Sequence, residues 1–323
     1  MNTSYDKNTA VVILPPISKG KLQDENLKKW LARSDFIAEV QPKELLQLIT
    51  KELRLPYPKE GLAALRLWGQ TGNRPKQYIT ALDPIYFEPR LDHLCLHALD
   101  WAGIPKRQMH LLIDHLQSTI GDKFNFKYTY LSSYAYLFSI KPIRTGLSPA
   151  FVYNGQKPDK FLAESIHRGI HQNLLSEIEM SLHGHEVNLT REKNNELPIN
   201  SMWLWGSGIA PEMSTITQAP LFSNDPLLLG YWNSINADAF KWPGSIFNCL
   251  NESTNGFIAE IPDVNDHQNL IEESLIELQK ALRDKRLRNL TLLFRDGLRI
   301  YISPTHNLRF WRRKSNLIDK LYR

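Results

Sequence analysis

Between Ser176 and Gly208 the chain reads SEIEMSLHGHEVNLTREKNNELPINSMWLWGSG. A helical pattern ends near Leu182, a segment dense in His, Asn and Arg follows, and a tryptophan-bearing strand stops at Gly206-Ser207-Gly208. Ordinary connecting loops are rich in Ser, Gly, Pro and Lys. This one carries His183, His185, Asn188, Arg191 and Asn200, with Trp203 and Trp205 two residues apart in the strand. Alternate strand residues share a face, so both tryptophans are expected on one side. The density of donors and aromatics marks the segment as the candidate site.

Reading outward, strands come in adjacent pairs as well as between helices. That pattern gives a mixed α+β fold, a largely antiparallel sheet with packed helices, the alternative being a three-layer α/β core. Upstream, Ala10 to Leu14 is an apolar run stopped by Pro15 and Pro16, read as a buried strand. Met1 to Asn8 is read as a disordered lead. Helical patterns cover Leu22 to Ala32, with Asp24 at the cap, then Pro42 to Leu53 and Leu62 to Trp68. Strands are expected at Gln77 to Leu82 and Asp92 to Ala98, with a turn near Glu88-Pro89-Arg90. A helix from Pro105 to Ile120 precedes a Tyr/Phe-rich antiparallel pair, Lys123 to Tyr130 and Ser133 to Ile140. A long helix spans Lys160 to Leu182.

Downstream of Gly208 the pattern is irregular, with partial helix at Leu227 to Ala239 and a short strand at Phe257 to Ile261. His267 to Arg283 is amphipathic, with Leu270, Ile271, Leu275, Leu278 and Leu282 on one side. Leu290 to Phe294 and Leu298 to Ile302 form a hairpin about Asp296-Gly297, and His306 to Arg312 adds a last strand. The organisation follows as 1–75, strand and helices; 76–215, the α+β segment carrying the motif; and 216–323, helix and strands.

Composition is that of a globular protein: 42% hydrophobic and 23% charged over 323 residues. Lys and Arg number 39 against 34 Asp and Glu, a net charge of +5, with a basic end in Arg309, Arg312, Arg313, Lys314, Lys320 and Arg323. That excess is too small to point to nucleic acid. No apolar run reaches the length of a membrane span or a signal core. The two cysteines, Cys95 and Cys249, lie outside any CxxC pair and are read as buried thiols of a reducing compartment, hence a cytoplasmic protein.

The motif and its neighbours offer three chemistries. His167 and His171 have the i, i+4 spacing of a metal helix, but Arg168 stands beside the first and repels a cation, so no metal is assigned there. Glu177 and Glu179 precede His183 and His185; Glu179 and His183 have i, i+4 spacing, which fits either a carboxylate orienting an imidazole or a histidine favoured by the helix C-terminus. Asn188, Arg191 and Asn200 supply donors suited to a phosphate or carboxylate. Gly206 and Gly208 permit close backbone approach to a ligand or to another element. Asp263, Asp266 and His267 come nearest to a metal cluster but precede a helix, where Asp commonly caps.

The segment resembles the RpfE-type regulatory protein family through Glu177, Met180, Leu182, His183, His185, Val187, Asn188, Arg191, Glu192, Asn200, Ser201, Trp203, Trp205, Gly206 and Gly208. Ala81-Leu82-Asp83-Pro84, Asp225-Pro226-Leu227 and Arg309-Phe310-Trp311-Arg312-Arg313 extend the likeness. More distantly it is similar to the domain inserted into the core of archaeal-type cofactor-independent phosphoglycerate mutases, of the alkaline phosphatase superfamily, through His185, Asn188, Arg191, Pro198 and Asn200. Glu186 replaces a Pro of that pattern, Asn195 stands near its Gly, and no Asp-Gly opens the chain nor does Gly-His-Asp close it. Such a mutase needs two metal ions and an activated Ser.

The resemblance therefore implies a regulatory protein that binds a small anionic ligand without catalytic metals, and charge and hydropathy point to no nucleic acid and no membrane. His185, Asn188 and Arg191 would contact the anion, Asn200 would hold the loop, and Trp203 with Trp205 would wall the pocket. Two alternatives stay open. One is a metal-dependent, mutase-like phosphoryl-transfer enzyme. The other is an interaction module presenting the tryptophans or the basic end.

Overall fold

The apolar run before Pro15 forms β1 (Thr9–Leu14), the centre of a seven-stranded sheet. A computed structural model of the chain describes residues 8–16, 22–38, 44–157, 168–263 and 267–309. β1 pairs in parallel with β10 (Gly256–Glu260) on one side and β11 (Asn289–Phe294) on the other. A parallel strand covered on both faces is apolar throughout, which is why Ala10 to Leu14 shows no alternation. Beyond β10 lie the short parallel strands β8 (Leu221–Phe222) and β9 (Ala239–Phe240). Beyond β11 the sheet turns antiparallel, through β12 (Leu298–Ile302) and β2 (Asp35–Ala38). Asp296-Gly297 makes the β11–β12 turn, with Gly297 at φ 93°.

One face of this sheet, presenting Val12, Leu292 and Ile300, packs against α1 (Glu25–Ala32), α8 (Ile246–Glu252) and α9 (His267–Arg283). α1 begins where Asp24 accepts from the N–H groups of Asn26 and Leu27. The other face meets α2 (Leu45–Leu53), whose Glu52 accepts from Thr291 of β11, and α2 packs on α7 (Pro226–Ser234). Helices on both faces give this sheet the three layers of an α/β core.

The second sheet is antiparallel throughout. Its spine is β3 (Tyr78–Pro89). β7 (Ser201–Gly208) runs along one edge of β3; β6 (Tyr134–Ser139) and then β4 (Leu94–Ala98) share the other, and β5 (Lys127–Leu131) lies outside β6. The strand expected over Gln77 to Leu82 is longer and reaches Pro89, although Pro84 lacks a ladder donor. The strand runs on because Pro84 falls in a gap: pairing with β6 ends at Leu82 and pairing with β4 begins at Ile85. α4 (Lys106–Leu116) and α5 (Arg168–Leu182) cover one face through Leu112, Ile113, Leu174 and Ile178, against Leu82, Leu137, Met202 and Leu204. α3 (Leu62–Thr71) packs on β3 and β7.

The mixed α+β organisation is thus present, with its antiparallel sheet and packed helices. The chain divides into two compact units: Met1–Leu55 with Met213–Arg323, and Pro56–Glu212. These bounds differ from the three segments read from sequence. The first and last segments form one sheet because β1 is sandwiched between β10 and β11, and α3 belongs to the middle unit. Two further corrections are local. Residues 186–193, read as loop, form α6 (Glu186–Lys193). The expected strand at His306 is a single turn of 3-10 helix, Pro304–Leu308, and residues 310–312 lie outside the described residues. So do Met1 to Lys7, His167, Asp266 and the cations after Arg309. Among the described residues no helix is long and apolar enough to cross a membrane.

Candidate functional site

The residues of the Ser176–Gly208 motif are directed at the chain itself. Asn188 is buried; its Nδ2 donates to the carbonyls of Leu182 (3.0 Å) and Ile199 (2.9 Å), and its Oδ1 accepts from Ile199 N (2.8 Å). Arg191 donates through Nε to Leu197 O and through Nη1 to Gln108 Oε1, both at 2.8 Å, and pairs with Glu196. Asn200 completes a strand-like pair with Phe87, accepting from its N–H and donating to its carbonyl. His185 accepts from Val187 N and so caps α6, with its ring 4.7 Å from that of His115. Burial, then the neighbouring His115, holds the His185 imidazole below its usual range. His183 is exposed.

The two carboxylates expected to orient a histidine are used elsewhere. Glu177 pairs with Lys123, and Glu179 accepts from Ser201 Oγ at 3.4 Å while burial raises its carboxyl. Trp203 and Trp205 do share a face, and both are buried, at 4% and 2% exposure. Trp203 donates to Ser148 O and packs on Tyr153. Trp205 lies 5.1 Å from the guanidinium of Arg66, which also faces Tyr134 and Tyr136 and pairs with Asp83 at 3.6 Å. Neither tryptophan is offered to a partner. The glycines admit α3 rather than a ligand: a Cβ on Gly208 would stand 2.5 Å from Gly61 N, and one on Gly206 3.0 Å from Ala63 N.

In open sheets with parallel strands, ligands bind beyond the carboxyl ends of the strands. There the first unit places a buried polar cluster. Glu260 closes β10 and contacts Arg295, which follows β11. Ser223 Oγ donates to Glu260 Oε2 at 3.0 Å, the N–H of Asn224 approaches the same oxygen, and Asp225 N donates to Ser223 Oγ. Burial pushes the Glu260 carboxyl up, and Arg295 opposes it. A two-metal centre needs several convergent carboxylates or imidazoles. Here the guanidinium of Arg295 fills the place a cation would take, and among the described residues no group of three metal-binding side chains forms at these strand ends. The described residues at these strand ends do not offer the donor set of a two-metal centre.

At the other end of the same sheet lies a cleft of about 860 Å³. Lys29, Arg33, Arg283, Lys285 and Arg288 line it beside Trp30, and no carboxylate does. Lys29 and Arg283 sit in the last turns of α1 and α9, where cations offset the helix dipole. Lys285 and Arg288 lie beyond that turn and have no ion-pair partner among the described residues. Sequence reading passed over this cluster because its members come from two helix ends and a strand start far apart in the chain.

A third group joins β3 to β4. Glu88 stands opposite Cys95 in register, and His97 follows two residues on. One ligating atom from each lies within 4.8 Å of the others. His97 Nε2 is 2.9 Å from Glu88 Oε2, and Arg90 Nη2 is 3.0 Å from the same oxygen. The His97 and Arg90 hydrogen bonds hold the Glu88 carboxyl below its usual range. Cys95 and Cys249 are both buried free thiols, as expected, but Cys95 has neighbours the sequence did not disclose. The Cys-x-His spacing was the only cue.

No protein-family model matches the chain. Over 140 residues it is 28% identical to the 2,3-bisphosphoglycerate-independent phosphoglycerate mutase of Methanosarcina mazei, spanning 42% of this chain and 35% of that one. Over 106 residues it is 27% identical to the same enzyme of Methanosarcina acetivorans, spanning 31% and 27%. The chain thus covers about a third of the length of these relatives. Among solved structures it is similar to the cofactor-independent phosphoglycerate mutase of Thermoplasma acidophilum (TM-score 0.41, 16% identity, 92% of this chain and 90% of that one). It is also similar to the PH0037 protein of Pyrococcus horikoshii (TM-score 0.47, 11% identity, 96% and 91%). Part of the chain therefore bears a distant resemblance to cofactor-independent phosphoglycerate mutases.

Proposed function

We propose that the protein binds a small phosphorylated or carboxylate ligand and does so without metal-dependent phosphoryl transfer. The observation that carries this reading is the basic cleft of the first unit, where five cations converge with no carboxylate among the lining residues. Its volume is that of an ordinary small-molecule site. Guanidinium groups suit planar, bidentate capture of carboxylate or phosphate, and Trp30 gives the cleft an apolar wall. Phosphoglycerate is the first ligand to try, because the mutases that resemble part of this chain act on it by name.

The test is a thermal-shift titration with 3-phosphoglycerate, with sulfate at matched ionic strength as control. Binding to the folded state raises stability by about 2.7 kcal/mol at a hundredfold excess over Kd. The expected result is a saturable shift that is lost in the Arg33→Ala/Arg288→Ala double variant and kept in Arg191→Ala. A shift lost in Arg191→Ala but kept in the double variant would return the site to the central motif. No shift with phosphoglycerate or with related sugar phosphates and carboxylates would sink the reading.

The sequence matches favour a second reading, a mutase-like phosphoryl-transfer enzyme. It requires turnover of phosphoglycerate with added Mn²⁺, Zn²⁺ or Mg²⁺. Because Arg295 neutralises Glu260 at the strand ends, no turnover is expected.

A further inference from the structure

We infer that Glu88, Cys95 and His97 form a binding site for a thiophilic divalent cation of the zinc class, with the fourth position open to solvent. The inference rests on backbone register and on the chemistry of the three side chains.

β3 and β4 are antiparallel, and Glu88 faces Cys95 directly while Tyr86 faces His97. Directly opposed residues, and residues two apart on one strand, project from the same face of a two-stranded ribbon. Glu88, Cys95 and His97 therefore occupy one face by construction, held by the ladder rather than by a flexible loop. Their nearest ligating atoms all lie within 4.8 Å of one another. A tetrahedral zinc ion, with bonds of about 2.0 to 2.3 Å, separates its ligands by about 3.3 to 3.8 Å. Closing that gap takes rotamer adjustment of two side chains and leaves the backbone in place.

The donor types decide the metal. Thiolate with imidazole and carboxylate selects zinc or a close analogue over calcium and magnesium, which prefer all-oxygen shells. Three protein ligands with one open position is the arrangement of zinc sites that keep a water or a small ligand. Exposure is graded to match. Cys95 is buried at 3%, whereas the side chains of Glu88 and His97 are 39% and 31% exposed, so an ion enters from the solvent side and meets the thiol last. Tyr86 stacks on His97 with ring centroids 6.0 Å apart and restrains the imidazole.

Arg90 is the internal competitor. Its guanidinium holds Glu88 through Nε at 3.2 Å and Nη2 at 3.0 Å. A bound cation must displace it, and Arg90 is half-exposed at the tip of the hairpin with room to swing away. The same carboxylate can thus serve an internal arginine or an external metal, one at a time.

Cobalt(II) is the probe, because a thiolate ligand gives it a sulfur-to-cobalt charge-transfer band that nitrogen and oxygen ligands do not. Titration of the full chain should produce that band with a one-to-one endpoint, and zinc should abolish it by competition. Cys95→Ser should remove the band. His97→Ala and Glu88→Gln, at partly exposed positions that spare the fold, should each weaken zinc by at least about a hundredfold, since loss of an outer partner alone costs 10–100-fold. Arg90→Ala should tighten zinc about tenfold by removing a like charge at contact distance. Absence of the band in the wild-type chain overturns the proposal. So does a band that persists in Cys95→Ser, which would place the metal on Cys249, or one that persists unchanged in both His97→Ala and Glu88→Gln, which would show that these two side chains do not hold it.

Discussion

The central motif of the second unit and the basic cleft of the first use their polar residues in opposite ways. In the second unit the conspicuous ones, Asn188, Arg191, Asn200 and His185, are committed to backbone groups and helix ends, and Arg66 is caged by Tyr134, Tyr136 and Trp205. In the first unit, inconspicuous cations at helix and strand ends line an open cleft that no carboxylate lines, Arg283 alone pairing with a neighbour, Asp284. A dense polar motif can therefore be tied up inside the fold, while an open cleft is lined by residues with no pattern in the sequence. The physical difference is satisfaction. A buried donor must find an acceptor within the fold, whereas an exposed cation is stabilised by water and stays available to a ligand.

The comparison breaks most visibly at Arg66. Arg66→Met leaves Asp83 buried beside aromatic rings without its cation, and the expected loss is about 3–5 kcal/mol. Hydrogen exchange should show that loss at amides of β3 and β6, with those of β1 and β11 unchanged. Equal loss in both sheets would mean the units unfold as one. Next in size is Asn188→Ala, which strands the carbonyl and the N–H of Ile199 and leaves the Leu182 carbonyl with His185 N as its remaining donor. It should cost about 3 kcal/mol, read by denaturant unfolding. The anion-induced thermal shift should survive this change. If binding vanished while stability held, Asn188 would be a ligand contact and the contrast between the units would fail.

The smallest effect is a pH dependence. The His185 imidazole is held below its unfolded value, so the unfolded chain takes up protons first as pH falls. Stability is then full above the unfolded pKa of about 6.5 and declines as pH drops through it. His185→Asn keeps an acceptor at the cap and removes the titration. The difference in stability between the two proteins should therefore change below pH 6.5 and be flat above it, as measured by thermal unfolding across pH. A flat difference throughout would show that burial of His185 does not disfavour its charged form.

Much of the framework was legible in the chain itself. Asp24 caps α1 because its carboxylate precedes an amphipathic run and accepts from the N–H groups of Asn26 and Leu27. His267 to Arg283 was bounded by its own periodicity, and Asp296-Gly297 fixed the β11–β12 hairpin. The strand expected over Gln77 to Leu82 continues through Pro84 to Pro89, because the tolerance of a strand for proline depends on which neighbour pairs at that residue. The loop expected after His183 concealed α6, whose cap is a histidine nitrogen rather than the usual Ser, Thr, Asp or Asn.

What the sequence determined by itself was local: the helices, hairpins and buried central strand, each set by periodicity and by residues within one or two turns. Tertiary structure alone decided what the polar side chains do. Asn200 meets Phe87, 113 residues away, and Arg191 meets Gln108, 83 away. Cys95 meets Glu88 only because β3 and β4 adopt one register and not its neighbour. A slip of one residue would turn that carboxylate to the opposite face. Register and long-range pairing are collective outcomes of packing, so donors of the same type are tied to the backbone in the central motif and left exposed along the basic cleft.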